Sequence, residues 1–337
     1  MKSLSFGYKI IFFFNNIFAV LLVFSYLTSF ISPRSFPLSA ILNFSIPILW
    51  LINLGFALLW FLKLKKHIFL SLIAMALGWF HLQKIFVFSN TEYIKNQGLK
   101  VMNYNVMQFY SLVDNQKSTY EDIKNFVYQE NPSIFCVQEF KYFKEPTFQH
   151  YKYNTVDTSN LSLQSAIYSH YPILNLKRFD FEDSGNSAVY ADIAVNQDTI
   201  RVFSVHFQSL NLKPDLKKIQ DEPKEKLLKR LENTFNKQIR QFKTIEPFIS
   251  NSTYPIVFCA DMNNTSLSYL YRQVLDKNLK DTFLESGQYY GKTFNFSVFP
   301  VRLDMIFIDE NLKSSNFKNY KINFSDHFPV MTEVHFK

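Results

Sequence analysis

The chain has 337 residues, enough for one large domain with an appendage. Only 7 residues are glycine while 38 are phenylalanine, and neither a P-loop nor a dinucleotide-binding fingerprint occurs. The formal charge of +8 is unevenly placed: residues 1–98 carry eight Lys and Arg against one acid, and residues 99–337 carry 28 against 27. That distribution excludes an overall nucleic-acid footprint, because the basic excess belongs to the amino-terminal part.

Ile10 to Ile31 is almost wholly apolar and exceeds the ~20 residues needed to cross a bilayer. Asn15 and Asn16 interrupt it without adding charge. A second span is expected over Leu38–Leu62, with Pro47 tolerable in a membrane helix. A third runs from Ile68 to Phe88, where His81, Gln83 and Lys84 weaken the outer end and Lys84 is placed to snorkel toward headgroups. Residues 1–89 therefore read as a transmembrane module of about three helices, with membrane attachment through residues 10–88. Asn15, Asn16, Asn53 and His81 are its candidates for polar contacts between spans.

Lys2 and Lys9 precede the first span, and Lys63, Lys65 and Lys66 follow the second, whereas the intervening loop offers only Arg34. The positive-inside rule then puts the amino terminus in the cytoplasm and, with three spans crossing, the large domain on the periplasmic, outer side of a bacterial inner membrane; without the third span that domain would instead be cytoplasmic. The first apolar core is too long for a cleaved signal peptide, and no small-x-small site follows it.

Residues 90–98, with Asn90, Asn96, Gln97 and Gly98, form a polar linker, and a second domain starts at Leu99. Strand-like and helical segments interleave from there to residue 337. Tyr120–Gln129 is expected to be a short helix that ends before Pro132. Pro223–Phe248 has apolar residues at Leu227, Leu228, Leu231, Phe235, Ile239 and Phe242, a helical spacing. Residues 211–243 hold ten Lys and Arg against five acids. A solvated helix face is the ordinary meaning of such a stretch; contact with a phosphate backbone or anionic lipid is the sharper one. Cys136 and Cys259 each lie inside an apolar run, as buried thiols do, and no metal-ligand cysteine spacing exists.

The chemistry-bearing residues share one arrangement. Ile256-Val-Phe-Cys-Ala-Asp261 is an apolar run that ends in an acid, with Asn263 just beyond. It reads as a strand buried on both faces that presents polar groups at its carboxyl end. Asn105, Glu139 and His206 close similar runs, Asp304 lies within another, and Asp326-His327 precedes a last one. Each has a dull reading alone: a strand-end acid, a turn, a cap, a satisfied core histidine. Asp304 is the exception, because a charge inside Leu303-Asp-Met-Ile-Phe-Ile needs a partner, and His327 is the candidate. Taken together, the carboxylates Glu139, Asp261 and Asp326 can hold a hard divalent cation. Asn105, Asn263 and His206 can meet phosphate oxygens, and an Asp-His dyad can handle protons or stabilise charge.

These residues also carry a likeness. Asn105, Gln138-Glu139, Ser165–Ile173, Val205-His206, Asp261-Met-Asn263, Arg302-Leu-Asp304 and Ser325-Asp-His327 occur in the order that resembles the endonuclease/exonuclease/phosphatase superfamily, over about residues 99–337. The resemblance implies a four-layer α/β sandwich, two mixed sheets flanked by helices. It implies hydrolysis of a phosphate ester, most simply a phosphodiester in a nucleic acid or a phospholipid headgroup, with Mg2+ or Mn2+. Under it Glu139 looks like the principal metal ligand, helped by Asn105 and Asp326. Asp261 looks like the group that orients or deprotonates the attacking water, Asn263 a phosphate contact, and His206 a contact to the scissile phosphate or leaving group. His327, paired to Asp304, looks like the group stabilising the transition state. The usual Gly-Asp-Phe-Asn segment is Ala260-Asp-Met-Asn263 here, and the features that define apurinic endonucleases are not recognisable. The rival from another class is a non-catalytic, membrane-anchored scaffold that keeps the fold. No protein partner is expected.

Overall fold

The computed structural model describes residues 5–36, 38–88, 98–110, 117–142, 147–160, 162–210, 223–296 and 300–336. The chain begins with helices α1 (Phe6–Leu27), α2 (Leu38–Leu62), α3 (Ile68–Leu77) and α4 (Trp79–Gln83). Two stretches, Phe6–Phe30 and Leu42–Leu62, are long and apolar enough to cross a membrane. The expected third span over Ile68–Phe88 is not one helix. It breaks at Gly78, and α3 with its 10 residues is well short of a crossing. A Cβ at Gly78 would stand 1.9 Å from Cζ of Tyr26 in α1, so the position of that ring requires glycine at the break. The chain then pairs Val87 with Tyr289 of the second domain.

The first three helices are tied by buried polar groups. Asn15 of α1 donates through Nδ2 to Ser71 Oγ of α3 at 2.7 Å and accepts at Oδ1 from Trp60 Nε1 of α2 at 2.8 Å. Asn53 Nδ2 reaches the Phe18 carbonyl, and His81 stacks on Tyr26. Asn16 instead bonds within its own helix. The expected linker lies outside the described residues apart from Gly98.

The remainder is two six-stranded mixed sheets packed face to face. In chain order the elements are β1 (Leu99–Asn105), α5 (Tyr120–Glu130), β2 (Ile134–Phe140), β3 (Tyr153–Asn154), β4 (Gln164–Ser169), β5 (Ile173–Asp180), β6 (Ser187–Val195) and β7 (Asp198–His206). They continue with α6 (Lys224–Ser250), β8 (Ile256–Asp261), α7 (Tyr269–Leu275), β9 (Leu279–Asp281), α8 (Thr282–Ser286), β10 (Asp304–Asp309), β11 (Lys313–Asn319) and β12 (Val330–His335). The strand orders are β11-β12-β1-β2-β4-β3 and β5-β6-β7-β8-β10-β9. Helix α5 ends at Asn131, whose φ of 47° is the left-handed cap that Pro132 cannot extend as helix.

Strand periodicity explains the layers. In β8, Val257 and Cys259 point between the sheets with Val101, Cys136, Ile167, Val202 and Ile306. Ile256, Phe258 and Ala260 point outward, under Phe242, Ile245 and Ile249 of α6. On the other outer face, Ile123 and Val127 of α5 cover Met102, Tyr104 and Phe135. A strand buried on both faces must be apolar throughout, which is why these runs lack alternation. The result is a four-layer α/β sandwich. Cys136 and Cys259 are buried free thiols in the same inter-sheet core.

Register sets one edge apart from the rest. Parallel β7 and β8 put His206 opposite Asp261, and antiparallel β8 and β10 put Asp261 opposite Asp304. In the facing sheet, parallel β1 and β2 put Asn105 opposite Gln138, the residue before Glu139. Asp304 opens its strand while Asp261 closes its own, so the antiparallel pairing brings both to the same end.

Candidate active site

Glu139 reaches that edge through an irregularity. The β2–β4 register shifts between Val137 and Phe140, and Glu139 adopts φ 50°, a left-handed conformation unusual for a non-glycine residue. Such a bulge re-aims a side chain, and backbone held there costs on the order of 1–3 kcal/mol. The surrounding sheet maintains it because Gln138, fully buried, donates from Nε2 to Asn103 Oδ1 at 2.7 Å and to Ser204 Oγ at 3.0 Å. Asn103 in turn donates to the Ala260 carbonyl. This polar ladder joins the two sheets directly beneath the edge.

Around it the expected residues come together. Asn105 Nδ2 donates to Glu139 Oε1 at 3.2 Å and to Asp261 Oδ2 at 2.9 Å. Its Oδ1 accepts from the Met107 backbone at 3.0 Å, so the amide N–H and not the carbonyl faces the carboxylates. His206 Nε2 stands 3.6 Å from Glu139 Oε1 and 3.5 Å from Asp261 Oδ2, is buried, and has no hydrogen-bond partner among the described residues. Asp261 Oδ1 accepts from the Asn263 backbone at 2.9 Å. Asn263 itself has φ 44° and donates from Nδ2 to the Phe207 carbonyl at 3.0 Å, which locks the turn after β8.

Asp304 and His327 form the expected pair, with Oδ2 and Nδ1 2.8 Å apart. His327 Nε2 then faces Asp261 Oδ2 at 3.7 Å. Thr293 Oγ1 accepts from the backbone of Leu303 and Asp304, and the Phe294 ring lies against the His327 imidazole. Ser325 Oγ donates to the Asn105 carbonyl and accepts from the His327 backbone, which fastens the Asp326-His327 turn to the end of β1. Asp326, like Glu139, is half-buried, and its charge acts on Glu139. All eight residues singled out in the sequence thus lie at one mouth.

The electrostatics separate their roles. Burial pushes the Glu139 carboxyl up, with Asn105 and His327 opposing the shift and Asp326 adding to it. Burial likewise raises Asp261, against His327. His206 is pushed down by burial despite Asp261, so its neutral form is favoured. For His327 burial lowers the pKa, but Asp304, Asp261 and Asp326 outweigh it and hold the imidazole well above its ordinary value. Four carboxylates therefore meet two imidazoles, only one of which readily carries charge. Asp304 Oδ1 is buried without a partner among the described residues.

This deficit of positive charge, with oxygen donors on both sheets, fits a hard divalent cation. Asp261, Asp304 and His327 also offer ligand atoms within 4.8 Å of one another. Nδ1 of His327 is committed to Asp304, which leaves Nε2 as the ring atom that faces Asp261.

Some contributors were given no role of their own from sequence. Asn103, Gln138 and Ser204 support the bulge and the inter-sheet spacing, and Thr293 and Ser325 fix the backbone of the dyad. Asn103 and Asn105 are two apart on one strand, as are Ser204 and His206. A polar group two residues before a functional strand end was the available signal.

Residues 102–327 match the model of the endonuclease/exonuclease/phosphatase family. The chain belongs to the endonuclease/exonuclease/phosphatase family. Residues 8–85 match a separate domain of unknown function. No curated protein matches significantly in sequence. Among solved structures, an endonuclease/exonuclease/phosphatase from Beutenbergia cavernae is 13% identical with a TM-score of 0.53, covering 72% of each chain. One from Bacteroides vulgatus is 13% identical with a TM-score of 0.51, covering 72% of this chain and 100% of that one. The human nocturnin catalytic domain with a bound sulfate anion is 13% identical with a TM-score of 0.52, covering 73% and 98%. Likeness at these identities establishes the sandwich fold. Membership of the endonuclease/exonuclease/phosphatase family makes the chain a phosphoesterase, and dependence on a divalent metal is typical of that family.

Proposed function

We propose that this phosphoesterase hydrolyses a phosphodiester, in a nucleic acid or a phospholipid headgroup, with Mg2+ at a membrane surface. The observation that carries the reading is the mouth where both sheets end: Glu139 on a bulge, His206, Asp261 and Asp304 in register, and His327 on Asp304. Glu139 and Asp326 are assigned to the cation; Asn105, expected to help hold it, turns its amide N–H to Glu139 and Asp261 and so sets their spacing instead. When bound, Mg2+ polarises a phosphoryl oxygen and offsets the carboxylate charge. Mn2+ takes similar oxygen donors.

The remaining steps use the chain's own groups. Asp261, made more basic by burial, is oriented by Asn105 and the Asn263 backbone to accept a proton from the attacking water. Asn263 holds the turn that aims it and stands beside the incoming phosphate. His206, neutral, meets a non-bridging oxygen or the leaving group. His327, kept protonated by Asp304, stabilises charge that develops on the phosphoryl oxygens. Retention of all these groups favours an enzyme over a scaffold.

Membrane attachment through residues 10–88 is supported by the two long apolar helices. Lys9, Lys63, Lys65 and Lys66 favour a cytoplasmic amino terminus, and the catalytic domain then lies outward with the broken segment α3–α4 making the third crossing; with two crossings alone it lies in the cytoplasm. At that far end of the bundle Lys63 lies over the Tyr8 ring, whereas Phe30 and Phe44 touch the catalytic domain.

The test is a screen of the full chain against DNA, RNA, sphingomyelin, phosphoinositides and a generic bis-ester, with Mg2+ and with EDTA. At least one is cleaved only with metal, and Asp261→Asn lowers that rate by about a hundredfold or more. Metal-independent turnover, or full activity in Asp261→Asn, removes the mechanism. A reporter fused after Lys337 that works only in the cytoplasm removes the outward placement.

A further inference from the structure

Three connections meet at the end of the β1–β2 sheet remote from the mouth. β2 starts at Ile134 and pairs there with Ser169, the last residue of β4, whereas Glu139 lies near the other end of β2. Asn131 caps α5 just before β2, His150 lies in the turn before β3, and His170 follows β4. His150 Nε2 stands 3.3 Å and His170 Nε2 3.1 Å from one and the same atom, Oδ1 of Asn131. The two imidazoles meet edge to face, with centroids 5.0 Å apart and planes at 89°.

Each of the three residues is held from behind. Asn131 keeps the left-handed backbone of the α5 cap, with its N–H on the Val127 carbonyl. The His150 N–H donates to the Tyr128 hydroxyl at 3.2 Å, and the His170 N–H donates to the Ser133 carbonyl at 3.1 Å. Tyr151, itself buried, stacks on the His170 ring at 4.4 Å and donates its hydroxyl to the Pro132 carbonyl. Supports of this kind orient the donor atoms at metal sites.

The spacing is that of a coordination sphere. Donors at about 2.0–2.1 Å from a tetrahedral Zn2+ stand about 3.3–3.4 Å from one another. Asn131 and His150 are exposed, so a fourth position opens to water. We propose that Asn131 Oδ1, His150 Nε2 and His170 Nε2 bind a transition-metal cation of the Zn2+ class, separate from the hard cation of the mouth. Imidazole nitrogen suits Zn2+, Cu2+ and Ni2+, whereas Mg2+ prefers oxygen. Each ring is placed to donate Nε2–H to Asn131; binding moves that proton to Nδ1 and turns the Nε2 lone pair to the metal. The cation joins the end of α5 to the turns beside β3 and β4 and leaves the chemistry of the mouth untouched. The plain alternative is two histidines sharing one hydrogen-bond acceptor, and it predicts no affinity for the ion.

The experiment holds the full chain in detergent with saturating Mg2+ and measures Zn2+ binding by equilibrium dialysis. Wild type is expected to bind one Zn2+ more per chain than the double variant His150→Gln, His170→Gln. The exposed single change His150→Gln weakens that binding by at least about tenfold, the lower end of what altering a metal site costs. Cu2+ on the wild type shows paramagnetic coupling to two imidazole nitrogens that the double variant lacks. Both variants keep the turnover of a small soluble bis-ester, which shows that the fold is intact. Equal Zn2+ binding by wild type and double variant overturns the proposal. So does Zn2+ that Mg2+ displaces completely from the wild type, because that ion lies among the carboxylates of the mouth.

Discussion

Asn15 among the amino-terminal helices and the charged groups Asp261, Asp304 and His327 of the catalytic mouth are all buried, and the two regions are treated in opposite ways. Asn15 is neutral and satisfied at both ends: it donates to Ser71 and accepts from Trp60. At the catalytic mouth the cluster is charged and left partly unpaired: His206 Nε2 and Asp304 Oδ1 have no partner among the described residues. A satisfied amide joins helices and asks for nothing more. An unsatisfied charge cluster is costly by itself, and that cost is the structural mark of a site awaiting a ligand.

The contrast predicts unequal responses to mutation. The largest effects belong to His327. Removal of one preorganised stabilising donor costs ~100–1000-fold in rate, so His327→Ala is expected to lose that much in steady-state turnover. Because His327 sits on Asp304 within a buried network, Asp304→Asn also weakens the fold. The sign follows from the raised imidazole pKa. Stability from His327 is fully present below its unfolded value of about 6.5 and is lost as pH rises through the higher folded value. Thermal melts in EDTA therefore show the largest gap between wild type and Asp304→Asn in mild acid, narrowing toward alkaline pH. A gap that widens with pH contradicts the assignment of the proton to His327.

Glu139→Gln comes next. It keeps the shape of the side chain and the bulge but removes the charge proposed to hold the cation. The metal concentration for half-maximal activity is expected to rise by about 10–100-fold, the range found when groups at a metal site are altered. Activity at saturating Mg2+ falls less than in Asp261→Asn. An unchanged metal requirement would move the cation to the Asp261, Asp304 and His327 cluster.

The same contrast explains what could be read in the sequence. Asp261, Glu139 and His206 were legible because a doubly buried strand is an unbroken apolar run, and its polar terminus is conspicuous. Asp304 was legible because a carboxylate inside such a run demands a partner. The orientation of Asn105 was not, since only the Met107 backbone decides which end of its amide faces Glu139. The ladder through Asn103, Gln138 and Ser204 was missed because it depends on how two sheets face each other, a relation that no single strand encodes. The need for glycine at position 78 was missed for a similar reason: it arises from the Tyr26 ring, more than fifty positions earlier in the chain.

The smallest expected effect lies in the neutral region. Asn15→Leu removes both the Ser71 and Trp60 hydrogen bonds and replaces the amide with a side chain of similar size. Interhelical hydrogen bonds within a membrane average ~0.6 kcal/mol, so the loss for two is about 1 kcal/mol. The apolar replacement recovers part of that through packing. Unfolding in detergent should therefore shift only slightly, and turnover of a soluble bis-ester should match the wild type. A large loss of turnover in Asn15→Leu would mean that the helices do more than hold the catalytic domain. The route would run through the Lys84 carbonyl, which accepts from Ser266 and Arg302, to β10, whose first residue Asp304 follows Arg302 by two positions.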